Sequence, residues 1–493
     1  MPAPEEARSF PVPEAVLVSE NFSIEARTIN SSDLSAWIPI PAYATNVASA
    51  DITSNEFHKH TVAVASLSIE GGKSTQVKVR YTGISITSAK IRPISLNIPT
   101  VVEEESISFT LCHSVDLMLE INNDKWQALH LLTNRNDADA PTADGEGVWY
   151  FGPGINNGPA CSEIVDGNLT VPSETTVYLA PGAFVTAKFI FRDVSNSAIR
   201  GHGFIYKEPV VHSKSSYTRE LTGASVLIER SNNILVEGVT SLGAKGFSLP
   251  ILQSDRIHVN GYRSFSHAGN GDGIDLFCCR DVLVENCFLR NSDDTIAIYG
   301  HRWNYYGDTT NIRIKNCVLL PDIAHPIQIG THGNPAKPET LSSIHISGID
   351  ILDHHENQLW YQGCISLNAG DRNLIEDVLV ENVRVEQISK GQLVNIRVMK
   401  NAMWTEAEGR GVRNVTLRNI TLDMERSKQV YPSQILGFDA SKQVENVHFE
   451  DLMIGGKYVH EGMQKPRWYM VTDLVPMFIN EHAKNVAFVL TKE

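Results

Sequence analysis

The chain lacks any long apolar run. A membrane-spanning helix needs roughly 18–20 consecutive apolar residues, and no such stretch occurs in these 493. Cysteine is scarce: there are seven, Cys112, Cys161, Cys278, Cys279, Cys287, Cys317 and Cys364. An odd number leaves at least one thiol unpaired, which excludes a disulfide-stapled scaffold. There is no basic stripe either. Lys plus Arg total 42 against 57 Asp plus Glu, a formal net charge of −15. A nucleic-acid partner, held through its phosphates by clustered cations, is therefore not expected. Helical periodicity is missing, because apolar residues alternate in short runs. The opening MPAPEEARSF lacks the basic start and apolar centre of a secretory signal. Read alone, it suggests an intracellular chain, or one whose signal lies outside this sequence. Sequons at Asn21, Asn30, Asn168, Asn414 and Asn419 give slight support to secretion.

What remains is a globular composition. Hydrophobic residues make up 42% and charged residues 20%, too apolar for extended disorder. Residues 1–145 read as short strands separated by Gly, Asn and Pro. TQVKVRYTG, AKIRPISL, SISFTL, DLMLEI and ALHLL alternate or are β-branched. An antiparallel β-sandwich is the expected result. The polar stretch NRNDADAPTADGEG marks the boundary between this region and the remainder of the chain.

From residue 146 a short unit repeats: NILVEG, RIHVNG, DVLVEN, NIRIKN, SIHISG, DVLVEN, NVTLRN and NVHFED. Its anchoring apolar residues are Ile234, Ile257, Val282, Ile312, Ile344, Val378, Val415 and Val447. Their spacing begins near one short coil and lengthens unevenly, as expected for constant turns with variable loops. A right-handed parallel β-helix over residues 146–493 fits, with coils stacked about 4.8 Å apart. Asn286, Asn316, Asn382 and Asn419 share the fourth place after their anchors and should form a hydrogen-bonded column. Cys287 and Cys317 come directly after two of them and read as buried packing residues.

A second strand recurs as GIDL, TIAI, PIQI and CISL. Aligning these puts Ile274, Ile296, Ile327 and Ile365 in an inward column. Asp275, Ala297, Gln328 and Ser366 then form an outward one, with Arg397 placed in it one coil on. The same alignment stacks Asp272, Asp294 and His325, with Asp293 beside them. Carboxylates brought that close raise at least one pKa. Such an arrangement serves either a metal or acid–base chemistry. Inverting glycoside hydrolysis uses one carboxyl as acid and another as base, usually some 6.5–9.5 Å apart. A calcium-binding turn is the competing reading.

NGDGID, then SDD, then AHPIQIG resemble the Asn-Thr-Asp, Asp-Asp and Gly-His-Gly signatures of the pectinase-like β-helix hydrolases. These comprise the polygalacturonases (glycoside hydrolase family 28) and the related dextranases and isopullulanases (family 49). The resemblance covers residues 146–493. It implies Asp293 as general acid, Asp272 and Asp294 as activators of water, and His325 as a supporting residue. Neither an organic cofactor nor an obligatory metal is implied, and the enzymes resembled act outside the cell. Gly271 replaces the Thr, and Ala324 and Pro326 replace the glycines around His325. The polygalacturonase Arg-Ile-Lys is also missing: the strand reads CISL, with Cys364 and Ser366 in the outward places. A substrate carboxylate would find no cation there, which favours a neutral α-glucan such as dextran or pullulan. The β-sandwich preceding the solenoid is a family-49 feature and agrees with that reading.

Two aromatic segments, HRWNYYGD and QLWYQG, flank the acidic coils. Their Trp303, Tyr305, Tyr306, Trp360 and Tyr361 are candidate platforms for the C–H faces of sugars. Trp404 reads as packing. Asp275, Gln328 and Arg397 complete the candidate substrate contacts. The expected activity is inverting endo-hydrolysis of a polysaccharide. The alternatives are a polygalacturonase-like pectinase, a calcium-dependent lyase on the same fold, and a non-catalytic glycan-binding solenoid.

Overall fold

The computed structural model describes residues 9–29, 35–51, 54, 56–69, 72–135, 137, 139–157, 162–207, 221–465, 467, 470, 471, 475 and 477–492. Asn30 and Cys161 lie outside the described residues. Nearly all regular structure is strand, and among the described residues no helix is long and apolar enough to cross a membrane.

The first strands form two five-stranded sheets. One runs Ile38–Ile40, Phe22–Ile29, Ser74–Tyr81, Ser106–Leu111, Val101–Glu103, antiparallel throughout. The other runs Ala42–Asp51, Glu56–Ile69, Asp124–Arg135, Leu117–Ile121, Ala89–Arg92. Alternation does its expected work: Val77, Val79, Ile107 and Phe109 turn inward against Ala63, Leu67, Leu119 and Leu129. One pair departs from the antiparallel expectation, because Glu56–Ile69 and Asp124–Arg135 run parallel. AKIRPISL is also only half strand. Pro93 has no N–H for the ladder, and a 3₁₀ turn comes next at Ile94–Leu96.

The solenoid is a stack of parallel coils whose strands form sheets of 21 and 11 strands. The expected anchors are in register one to one, from Ile234 beside Ile257 through to Val415 beside Val447. The second inward column, Ile274, Ile296, Ile327 and Ile365, is equally aligned, with Val394 next. All these side chains are buried in one continuous core. The coils turn on left-handed residues. Asn286, Asn316, Asn382 and Asn419 have φ of 57°, 55°, 55° and 51°, a conformation Asn tolerates better than most side chains. Asn419 donates to Asn382 at 2.7 Å and Asn286 to Asn260 at 2.9 Å. Gly348 interrupts this column because a Cβ there would lie 2.7 Å from Asn316 Oδ1. A second ladder, not anticipated, runs beside the anchors: Asn485 donates to Asn446 at 2.9 Å, Asn446 to Asn414 at 3.0 Å, and Asn414 to Asp377 at 2.9 Å.

The sandwich packs on one face of the solenoid. Tyr43, Val64, Met118 and Leu132 meet Phe204, Phe265, Phe288 and Leu320. Ion pairs cross the seam, buried Arg92 to Glu386 at 2.7 Å and part-buried Arg263 to Asp116 at 2.7 Å.

Two register expectations need correction. Cys364 belongs to the hydrophobic core, so the outward residues of its strand, Ile365–Ala369, are Ser366 and Asn368. Ser366 pairs with Asn395, and Arg397 pairs with Asn368. Arg397 therefore stands two residues further along the strand than the Asp275–Gln328–Ser366 column. The cause is a two-residue misalignment of NIRV: Val394 fills the inward place that Ile396 was expected to take.

Candidate active site

Asp272, Asp293 with Asp294, and His325 occupy the same turn in three consecutive coils. Each leads into a short buried strand, Ile274–Phe277, Ile296–Tyr299 and Ile327–Gly330. The turns are tied to one another by backbone: Gly273 N–H donates to Asp294 O at 2.8 Å and Thr295 N–H to His325 O at 2.9 Å. Close approach explains one departure from the resembling motifs. A Cβ on Gly271 would lie 2.3 Å from Ser292 Oγ and 2.8 Å from Ala268 O. Ala324, standing where the motif carries Gly, adopts φ 67°, the left-handed conformation that glycine takes most easily.

One carboxylate oxygen from each of Asp272, Asp293 and Asp294 lies within 4.8 Å of the others. That is tighter than the spacing expected from most inverting enzymes, which leaves water room between acid and base. Three oxygens this close could also hold one divalent cation. Asp272 and Asp294 are buried, and Asp293 is half-buried.

Hydrogen bonding separates their roles. His325 Nδ1 lies 2.7 Å from Asp294 Oδ1, and the His325 backbone N–H donates to the same oxygen at 2.9 Å. His325 Nε2 lies 2.7 Å from the Tyr361 carbonyl, which can only accept. Both ring nitrogens therefore donate, and the ring is an imidazolium paired with a carboxylate. Burial opposes the ring's charge, but Asp294, Glu356 and the Tyr361 carbonyl together outweigh it and raise His325 to about 9. Tyr299 adds its hydroxyl to Asp294 Oδ2 at 3.3 Å. Asp293 has a different environment. Burial and then the Asp294 charge lift its carboxyl to about 7, so it keeps its proton in mild acid. Asp272 is pushed well above the usual carboxylate range by burial, then by Asp275, Asp293 and Asp294.

The other candidates divide. Asp275 is fully buried beside Asp272 and shares the upward shift, through burial and then the Asp294 charge. Gln328 is also fully buried and donates to Thr331 Oγ1 at 2.7 Å. Neither presents any surface to a ligand. Tyr361 is buried edge-on to His325, ring centroids 4.7 Å apart. Trp303, Tyr306 and Trp360 are exposed. Tyr305 does not join the site: it is buried, with its hydroxyl donating to Glu229 at 2.8 Å and Arg230 over its ring. Arg397 donates to the Trp360 carbonyl at 2.7 Å.

Several site residues escaped the sequence reading. Tyr299 lies two places beyond Ala297 on an aligned strand, so its outward direction was there to be read. Glu356, in the cluster His354-His355-Glu356, is buried and raised to about 7 by burial, with the neighbouring His325 opposing. Arg302, over the Trp303 ring at 4.7 Å, pulls against the upward shift of Asp272. Trp404 was expected to pack, yet it is partly exposed, 6.3 Å from the Tyr361 ring. A cavity of about 620 Å³ opens elsewhere, at the seam between sandwich and solenoid near Asp116 and Arg263, and shares none of Asp272, Asp293 and Asp294.

Parallel coils carrying converging aspartates and a buried histidine define the pectinase-like β-helix hydrolases. Residues 161–465, more than half of the chain, match the glycosyl hydrolases family 28, and the chain belongs to that family. An exopolygalacturonase of Arabidopsis thaliana is 20% identical over 258 residues, covering 51% of this chain and 57% of that protein. A probable endopolygalacturonase D of Emericella nidulans is 27% identical over 192 residues, covering 38% and 33%. The chain thus spans between a third and a little over half of these relatives. Dex49A from Penicillium minioluteum superposes with a TM-score of 0.58 at 14% identity, over 98% of this chain and 99% of that one. That likeness shows a common fold along the full length.

Proposed function

We propose that the chain is an inverting endo-glycoside hydrolase acting on an extracellular polysaccharide. The observation that carries this reading is the contrast between neighbours: Asp293 raised to about 7 beside an Asp294 carboxylate locked to imidazolium His325. Asp293 is the general acid that protonates the leaving oxygen. Asp294, fixed by its two hydrogen bonds to His325, and Asp272 orient the attacking water. Because the three carboxyls converge so tightly, the water sits against the Asp272–Asp294 pair, beside the acid. Exposed Trp303 lies toward the earlier coils, near Phe247 and Phe277, and exposed Trp404 toward the later ones, near Tyr361; aromatic surface on both sides of the acid along the solenoid supports cleavage within a chain.

The strands after His325 place no cation at Ser366, Asn368 or Asn395, all uncharged and buried, and this lack of a partner for a substrate carboxylate supports a neutral α-glucan as substrate. A second reading, a uronate polymer, is supported by Arg397. Its guanidinium bonds the Trp360 carbonyl and Gln434 and, among the described residues, no carboxylate. Measuring product release from dextran, pullulan and polygalacturonate separates the two. Only the second reading predicts that Arg397→Ala abolishes cleavage of the preferred polymer.

A further inference from the structure

Three consecutive coils carry a buried charged residue three places before a residue of the site. Arg290 precedes Asp293, Asp322 precedes His325, and Asp353 precedes Glu356. These charges are joined by one cation from outside the solenoid. Lys125, on the sandwich strand Asp124–Arg135, lies 3.0 Å from Asp353 Oδ2 and 3.5 Å from Asp322 Oδ1. Arg290 closes the set, donating to Asp322 at 2.9 and 3.2 Å and to the Lys125 carbonyl at 3.0 Å.

The link continues to the catalytic turn. Asp353 Oδ1 accepts the His354 N–H at 2.8 Å and the Ser389 N–H at 3.0 Å. His354 Nδ1 lies 3.1 Å from the Ala324 carbonyl, and its Nε2 lies 3.3 Å from the Gly363 N–H. A carbonyl only accepts and an N–H only donates, so the His354 ring is neutral with its proton on Nδ1. Ala324, gripped this way, is the residue before His325, and the two histidine rings are 6.3 Å apart. The route from Lys125 to Asp294 thus runs through Asp353, His354, Ala324 and His325, and every contact is a hydrogen bond, an ion pair or a peptide bond.

We propose that Lys125 is a positioning residue of the active site, so that the sandwich sets the geometry of a site built wholly on the solenoid. This rests on the hydrolase reading. Without Lys125 the Asp322 and Asp353 carboxylates would repel and shift apart, because Arg290 pairs with Asp322 alone. The turn bearing His325 would then lose its fixed place against Asp294. Misplacing a catalytic group by about 1 Å can reduce turnover about 100-fold.

The test uses the full chain with Lys125→Met, Lys125→Arg and the paired variant Lys125→Met/Asp353→Asn, which removes both charges and so spares the fold an unpaired buried carboxylate. Asp116→Asn, which cuts the separate seam contact to Arg263, serves as control. Lys125→Met and the paired variant should lower kcat about 10-fold to 100-fold at nearly constant KM, with Lys125→Arg restoring most of it. Asp116→Asn should lower the melting temperature and leave kcat of the folded protein unchanged. Independently of turnover, the imidazole ¹⁵N signals of His325 should shift in Lys125→Met and return in Lys125→Arg. Unchanged His325 signals, or a kcat loss equal in Asp116→Asn, would overturn the inference. A wild-type protein that cleaves no glycan would overturn the hydrolase reading alone, because the His325 signals still decide the role of Lys125.

Discussion

At the residue scale the account turns on proton positions. Asp293 works only while protonated, so activity should fall as pH rises through about 7. Asp293→Asn should lower kcat by about 10²–10⁴ with little change in KM, as read by initial rates; a variant within twofold of wild type would remove Asp293 from the mechanism. The His325–Asp294 pair also ties stability to pH. The folded ring holds its proton up to about 9, against about 6.5 for an unfolded histidine. Its contribution is therefore complete below about pH 6.5 and is lost as pH rises through about 9. Melting temperatures across that window should decline in wild type and decline less in His325→Gln. A chelator should leave activity intact if the carboxyls serve proton transfer; inactivation reversed by calcium would favour the cation reading of the same three oxygens.

At the scale of elements, most of the solenoid was legible because its periodicity is carried by single side chains. The eight anchors lie in register, since a parallel ladder that slipped by one residue would expose every one of them. The turn column was legible through Asn286, Asn316, Asn382 and Asn419. Its companion ladder was hidden because Asp281, Ser343 and Asp377 share the left-handed positions with Asn233, Asn311 and Asn414, so no single residue type repeats. Arg397 and Cys364 were misread for a related reason: short strands such as CISL and NIRV offer few apolar residues to fix the phase. The acidic turn was legible from spacing, whereas Glu356 and Tyr299 join the site through loops and outward faces that alternation does not rank. The Asn turns make their own prediction. Asn382→Ala removes the side chain that accepts from Asn419 and places a Cβ-bearing residue without local compensation at φ 55°. It should destabilise by about 1–3 kcal/mol, and Asn382→Gly by less, as read from thermal unfolding midpoints. Equal midpoints for the two variants would count against the left-handed turn as the cause.

At the scale of the whole molecule, two β architectures share a seam that is both apolar and ionic. Phe204, Phe265 and Phe288 pack against Tyr43, Val64 and Leu132, while Arg92 is fully buried between Glu120 and Glu386. Removing one member of such a set leaves unpaired buried charge, a loss of about 3–5 kcal/mol. Arg92→Met should therefore lower the melting temperature well below that of exposed-pair variants such as Arg80→Met, whose partner Glu105 is in solvent. The coils whose Phe265, Phe288 and Leu320 enter this seam are the ones that continue into the Asp272, Asp293–Asp294 and His325 turns. The central claim, that these aspartates drive a single displacement by water, is tested most directly by NMR of the first product released from an α-linked polymer. The account predicts a fresh reducing end in the β configuration that relaxes to the anomeric equilibrium. An initial α end would mean a covalent glycosyl-enzyme and would contradict it.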